Sequence, residues 1–213
     1  MKKHIGRRAA VVGAGTGLFA YLLIASIVGR GGGALCPAWG QSDAGAVTGW
    51  TPKETISLWP ETAKKTAGVM LEEYGPPDAL SGSSLAWFGH GAWKRTVVYR
   101  DGWVDQASVL HPEVLEQVIS YRTPRDRIDD LARFDSRLNV DSAKHELTYR
   151  SDSESTNYLA INLAAEIATR LKTVAEAKAY ALKVERLAEE GKESEYTKRF
   201  LFQAQNGDDA IPD

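Results

Sequence analysis

Apolar residues recur at Ala63, Ala67, Met70, Leu71 and Tyr74, the spacing of one helix face, while Lys64, Lys65, Glu72 and Glu73 fall largely off that stripe. Pro60 suits the first helical position, and Glu61 suits the positive end of the helix dipole. Gly75 can close the helix in a left-handed conformation, and Pro76 and Pro77 forbid its continuation. The pattern then changes from a period of 3.6 to a period of two. Thr96, Val98 and Arg100 alternate with Val97 and Tyr99, which predicts a strand over Lys94–Arg100. It is paired with an earlier strand, Ser84–Phe88, through Gly89-His90-Gly91-Ala92. Asp101-Gly102 reads as a second turn, which predicts a third strand over Trp103–Leu110.

Leu115–Arg122 fits either period and is read as a strand because it is β-rich and ends at Pro124. Thr123-Pro124-Arg125-Asp126 then looks like a helix start, with Thr at the cap and Ile128, Leu131, Ala132 and Phe134 on the apolar face. Arg137–Val140 and Glu146–Arg150 alternate around the turn Asp141–Lys144, the pattern of a half-buried antiparallel hairpin. From Ser153 to about Leu171 the chain is apolar around most of a helix circumference, so this helix must be buried. Thr173-Val174-Ala175-Glu176 is a capping box, and it opens a helix that ends at Gly191. The predicted fold class is α+β: an antiparallel sheet of about five strands, with helices packed mainly on one face. The domain covers residues 58–190 and is followed by a C-terminal extension and acidic tail over 191–213.

The N-terminus is of a different kind. Lys2, Lys3, Arg7 and Arg8 precede Ala9–Val28, an uncharged and mostly apolar run of 20 residues. About 20 such residues cross a bilayer core, and the basic flank places the N-terminus in the cytoplasm. Residues 1–30 therefore read as a signal anchor, with a cleaved signal peptide as the alternative. In both readings the body of the protein is extracytoplasmic: held on a bacterial inner membrane in the first, released to the periplasm in the second. Residues 31–57, rich in Gly, Ala, Ser and Pro, read as a linker. Trp39 within it is placed at the membrane interface. Cys36, the only cysteine, cannot form an internal disulfide; it reads first as an inert thiol, then as an intermolecular thiol, and last as a lipidation site.

Charge changes the functional picture. Of 26 basic residues five lie at or before Arg30, whereas all 28 acidic residues lie after it, so the exported part carries a formal charge near −7. Nucleic acid, which needs clustered Lys and Arg, is not an expected partner. The four histidines are scattered, and no metal, haem, phosphate-loop, dinucleotide or nucleophile-elbow motif occurs. No catalytic residue, metal or cofactor is assigned. The candidate binding residues are the hairpin rings Trp87, His90, Trp93 and Trp103. Core packing is the favoured reading of these rings, with His90 and Trp93, at the turn, as the members expected to be exposed if any are. Asp126, Asp129, Asp130 and Asp135 are interleaved with Arg125, Arg127 and Arg133 and read as a solvated helix face rather than a cation site.

The words Trp59-Pro60-Glu61-Thr62-Ala63-Lys64-Lys65, Tyr74-Gly75-Pro76-Pro77-Asp78, Trp93-Lys94-Arg95-Thr96-Val97-Val98-Tyr99 and Asn157-Tyr158-Leu159-Ala160-Ile161-Asn162-Leu163-Ala164 carry a resemblance. Over roughly residues 58–185 the chain resembles an uncharacterised bacterial family of exported or membrane-anchored proteins, which implies no activity. The order helix, Gly-x-Pro, aromatic hairpin is also similar in topology to small exported modules of the β-lactamase-inhibitor and outer-membrane-assembly lipoprotein type, which implies binding or scaffolding. The expected function is a non-catalytic accessory subunit tethered through residues 9–28 and bound to another membrane or envelope protein. The alternative is a small-ligand or glycan-binding domain that uses exposed aromatics. An enzyme would require His90, His145 or the acidic helix to converge in one cleft.

Overall fold

A computed structural model of the chain describes residues 49–103 and 112–203. The leader with residues 9–28, Cys36, Trp39, the predicted strand beyond Trp103 and the acidic tail lie outside the described residues. Among the described residues no helix is long and apolar enough to cross a membrane.

The first helix falls in what was expected to be linker. Thr51 and Glu54 form a reciprocal capping box, with the Glu54 N–H donating to Thr51 Oγ1 at 3.3 Å and the Thr51 N–H to Glu54 Oε2 at 2.7 Å. This starts α1, Pro52–Ser57, whose Ile56 enters the core. The signal was legible, since Thr-Pro-Lys-Glu has a hydroxyl at the cap, Pro at the first position and Glu at the third. The main predicted helix, α2, spans Glu61–Tyr74 and buries Ala63, Thr66, Ala67 and Met70. Pro60 is its cap rather than its first turn, and Gly75 closes it at φ +77°.

Six strands form one antiparallel sheet: β1 Ala79–Leu80, β2 Ser84–Phe88, β3 Arg95–Trp103, β4 Glu113–Ser120, β5 Asn139–Asp141 and β6 Glu146–Ser151, in the order β1-β2-β3-β4-β6-β5. The expected third-strand turn at Asp101-Gly102 is instead part of β3. The register shifts between Val98 and Trp103, and a Cβ on Gly102 would lie 2.8 Å from Val114 Cγ1. Glycine lets β4 approach closely there without a tight turn. Thr123 does not cap the helix that follows: its hydroxyl is buried without a partner, and a 3₁₀ turn over Arg125–Arg127 leads into α3, Ile128–Phe134. Helix α4, Glu154–Ala168, and helix α5, Val174–Glu189, complete the fold; the predicted Thr173–Glu176 box caps α5.

Register assigns the faces. Leu85, Val98, Leu115 and Ser151 are aligned across four strands, as are Trp87, Thr96, Gln117 and Tyr149. This face carries two apolar clusters. One joins Ile56, Trp59, Ala63, Ala67 and Met70 to Leu85, Trp87, Val98 and Leu115. The other joins Ile119, Leu147 and Tyr149 to α3, α4 and α5. The opposite face is not simply polar. Glu116 and Glu146 are each 6 % exposed there, Glu116 in ion pairs with Arg95 and Arg150, Glu146 with Lys94 at 2.7 Å. Pairing thus accompanies the burial of Glu146, and Thr148 on the same face is buried as well, although alternation predicts a half-exposed hairpin.

Candidate functional site

The two apolar clusters are divided by a line of hydrogen-bonded polar side chains. Gln117 takes an inward position on β4 between Leu115 and Ile119 and is fully buried. Its amide donates to Thr96 Oγ1 at 3.2 Å and to Glu154 Oε1 at 3.0 Å, and its oxygen accepts from Asn157 Nδ2 at 2.8 Å. The Ser151 hydroxyl then donates to Asn157 Oδ1 at 2.6 Å. Buried polar groups survive only when paired, and this line is paired throughout.

Its outer end is Glu154, in the first turn of α4. Besides Gln117, Glu154 Oε1 accepts the Trp93 indole N–H at 2.6 Å and the Tyr74 hydroxyl. Here the structure departs from the exposure expected of Trp93 at the turn. Trp93 is 1 % exposed, packed between Tyr158 and Phe200 with centroids 5.0 and 4.7 Å away. The indole tucks beneath α4 because its N–H finds a carboxylate there. Trp87 is fully buried; its N–H donates to Gly75 O at 3.1 Å and its ring meets Tyr74 edge-on. His90 is half-buried and stacks on Tyr74, centroids 4.9 Å apart. The Trp103 side chain lies outside the described residues.

Glu154 opens outward into a cleft of about 810 Å³ between α2 and the start of α4. Glu61, Thr62, Lys65, Thr66, Val69 and Glu73 form the α2 wall, and Asp152, Ser153, Ser155, Tyr158 and Lys198 also line the cleft. Of these charges, Glu61 is paired with Lys64, and Lys198 with Glu193 and Glu195. Thr66 Oγ1 ties the walls together by donating to Asp152 O at 2.7 Å. Glu73 abuts Glu154; desolvation, then the neighbouring charge and hydrogen bond of Glu154, raises the Glu73 carboxyl above the ordinary carboxylate range. Burial first, then Glu154, also raises Tyr158, to about 12, and Tyr74 further, so both phenols stay neutral at physiological pH. Neither Glu73 nor Glu154 has a cationic partner among the described residues, and Lys65 on the same cleft has no anionic one. Two abutting carboxylates of this kind share a proton or hold a cation.

The groups that an enzyme reading required are placed elsewhere or tied up. His145 sits exposed in the β5–β6 turn at φ +52°. Asp126 pairs with Arg170 and Arg127, Asp130 with Arg127 and Arg133, and Asp135 with Arg137. Among the described residues no group of three His, Cys, Asp or Glu side chains is arranged to hold a metal ion. Sequence reasoning missed Lys65, Glu73, Gln117 and Glu154. Only Gln117 carried a signal: a polar residue at an inward position of an alternating strand. Comparison with protein-family models, with curated proteins and with solved structures gives no match to this chain.

Proposed function

We propose that this chain is a non-catalytic extracytoplasmic binding domain, tethered to a bacterial inner membrane by residues 9–28, that holds a small polar ligand between α2 and α4. One observation carries the reading: the 810 Å³ cleft contains two abutting carboxylates that have no cationic partner among the described residues, one of them aimed by three donors from the protein interior. Small-molecule sites are concave, run to about 300–1,000 Å³ and contain a few fixed polar groups, as here. An accessory subunit that docks through aromatic rings has less support. Among the described residues Trp87 and Trp93 are buried, and the Trp and Phe rings that are about half exposed are Phe88 and Trp50. The test is a thermal-shift survey of full-length protein in mild detergent against charged and neutral small molecules. A stabilising compound whose effect disappears in Val69→Trp, which fills the cleft, is the expected result; a flat response across all classes overturns the reading.

A further inference from the structure

The ligand class follows from how charge is distributed along the cleft, and the inference rests on the binding-domain reading above. We infer that the cleft takes a short peptide with a free amino terminus, its ammonium between Glu73 and Glu154 and its carboxylate toward Lys65. Glu154 Oε1 is already occupied by Tyr74, Trp93 and Gln117, so a ligand meets the second oxygen together with the Glu73 carboxylate. An ammonium has three donors and needs only two carboxylates and one further acceptor. A site for a hard metal ion built from protein groups would draw on several acidic or histidine side chains, and among the described residues no group of three His, Cys, Asp or Glu side chains is arranged to hold one.

Length is set by α2. Lys65 and Glu73 are eight residues apart on the wall facing the cleft, about 12 Å of helix rise. The charges of a single α-amino acid are too close together to engage both. An extended peptide advances about 3.3–3.6 Å per residue, so two or three residues, aided by the reach of the lysine, span the gap. Tyr158 supplies a ring, and Ser153 and Ser155 supply hydroxyls, along the wall opposite α2.

Isothermal titration of the full-length protein in detergent, at low salt, uses trialanine, N-acetyl-trialanine and trialanine amide. Trialanine is expected to bind, N-acetylation to abolish binding, and amidation to weaken it several-fold. Glu73→Gln, at an exposed position, is expected to weaken trialanine about tenfold, as loss of a charge-assisted contact does. Lys65→Gln is expected to weaken trialanine but not its amide. Equal binding of the acetylated peptide, or unchanged affinity in Glu73→Gln, overturns the inference. If no peptide binds but another compound stabilises the protein in a Val69-dependent way, the peptide assignment falls and the cleft stands; if nothing binds, both fall.

Discussion

Glu154→Ala tests the structural half of the site. The substitution removes the acceptor shared by the Trp93 indole, the Gln117 amide and the Tyr74 hydroxyl. Trp93 is 1 % exposed and Gln117 is fully buried, so two donors lose a partner where little water reaches them. A buried donor left unpaired costs about 1–3 kcal/mol. Tyr74 is half-buried and can turn outward, and the open cleft admits some water, so the net loss is about 3 kcal/mol. For a domain of this size that lowers Tm by roughly 6–12 °C. Glu154→Gln keeps an oxygen for the indole and relieves the repulsion with Glu73, so it should cost below about 1 kcal/mol. Urea unfolding followed by tryptophan fluorescence and far-ultraviolet circular dichroism reads both variants, provided that the transitions coincide. The reasoning fails if Glu154→Ala stays within about 0.5 kcal/mol of the parent, or if the glutamine variant is as unstable as the alanine variant.

Three further outcomes are expected. Gly102→Ala places a Cβ 2.8 Å from Val114 Cγ1 and 3.2 Å from Pro112 Cβ, so it should destabilise by about 1–3 kcal/mol in the same urea assay; a neutral result would mean that the β3–β4 bulge relaxes freely. Thr173→Ala removes the α5 capping box and should cost about 1 kcal/mol, with Thr173→Ser near neutral by calorimetry; equal losses in the two variants would refute the capping role. Burial alone would raise Asp135, but the Arg137 side chain and backbone N–H, with the Tyr149 hydroxyl, outweigh it and hold the carboxyl below its ordinary value. A depressed folded-state pKa gives stability that is complete above the unfolded value near 3.9 and is lost as pH falls through the folded one. The stability gap between parent and Asp135→Asn should therefore be constant from pH 7 to about 4 and shrink below that; a gap unchanged at pH 2.5 would rule the linkage out.

Local periodicity located nearly every element because the residues concerned bury a single stripe or a single strand face. Met70 and Tyr74 on α2, the Ser84–Phe88 strand and the Thr173 box are of this kind. Misreadings arose where tertiary contact overrides local preference. Asp101-Gly102 has turn chemistry, yet its glycine serves the approach of β4. Thr123-Pro124 has cap chemistry, yet burial leaves its hydroxyl unpartnered. The site was less legible still. Glu154 in a first helical turn is what dipole logic predicts anywhere, and nothing local says that Trp93, 61 positions earlier, will donate to it.

The polar line through the core explains why these distant residues meet. Helices α2 and α4 both sit on one sheet face, and a continuous apolar surface beneath them would let either slide along it. The chain Thr96–Gln117–Asn157–Ser151 fixes α4 against β4 and β6 at one register, because a buried amide with unmatched donors costs more than a displaced methyl. Tyr74 and Thr66 do the same for α2, Tyr74 bonding to Glu154 in the first turn of α4 and Thr66 to the Asp152 carbonyl just before that helix. The cleft is the space left where this line reaches the surface, and its floor, Glu154, is the line's last member. A cation bound there therefore acts on a carboxylate wired into the β-sheet, so that Trp93, buried and bonded to the other oxygen of that carboxylate, is the residue whose fluorescence should report it.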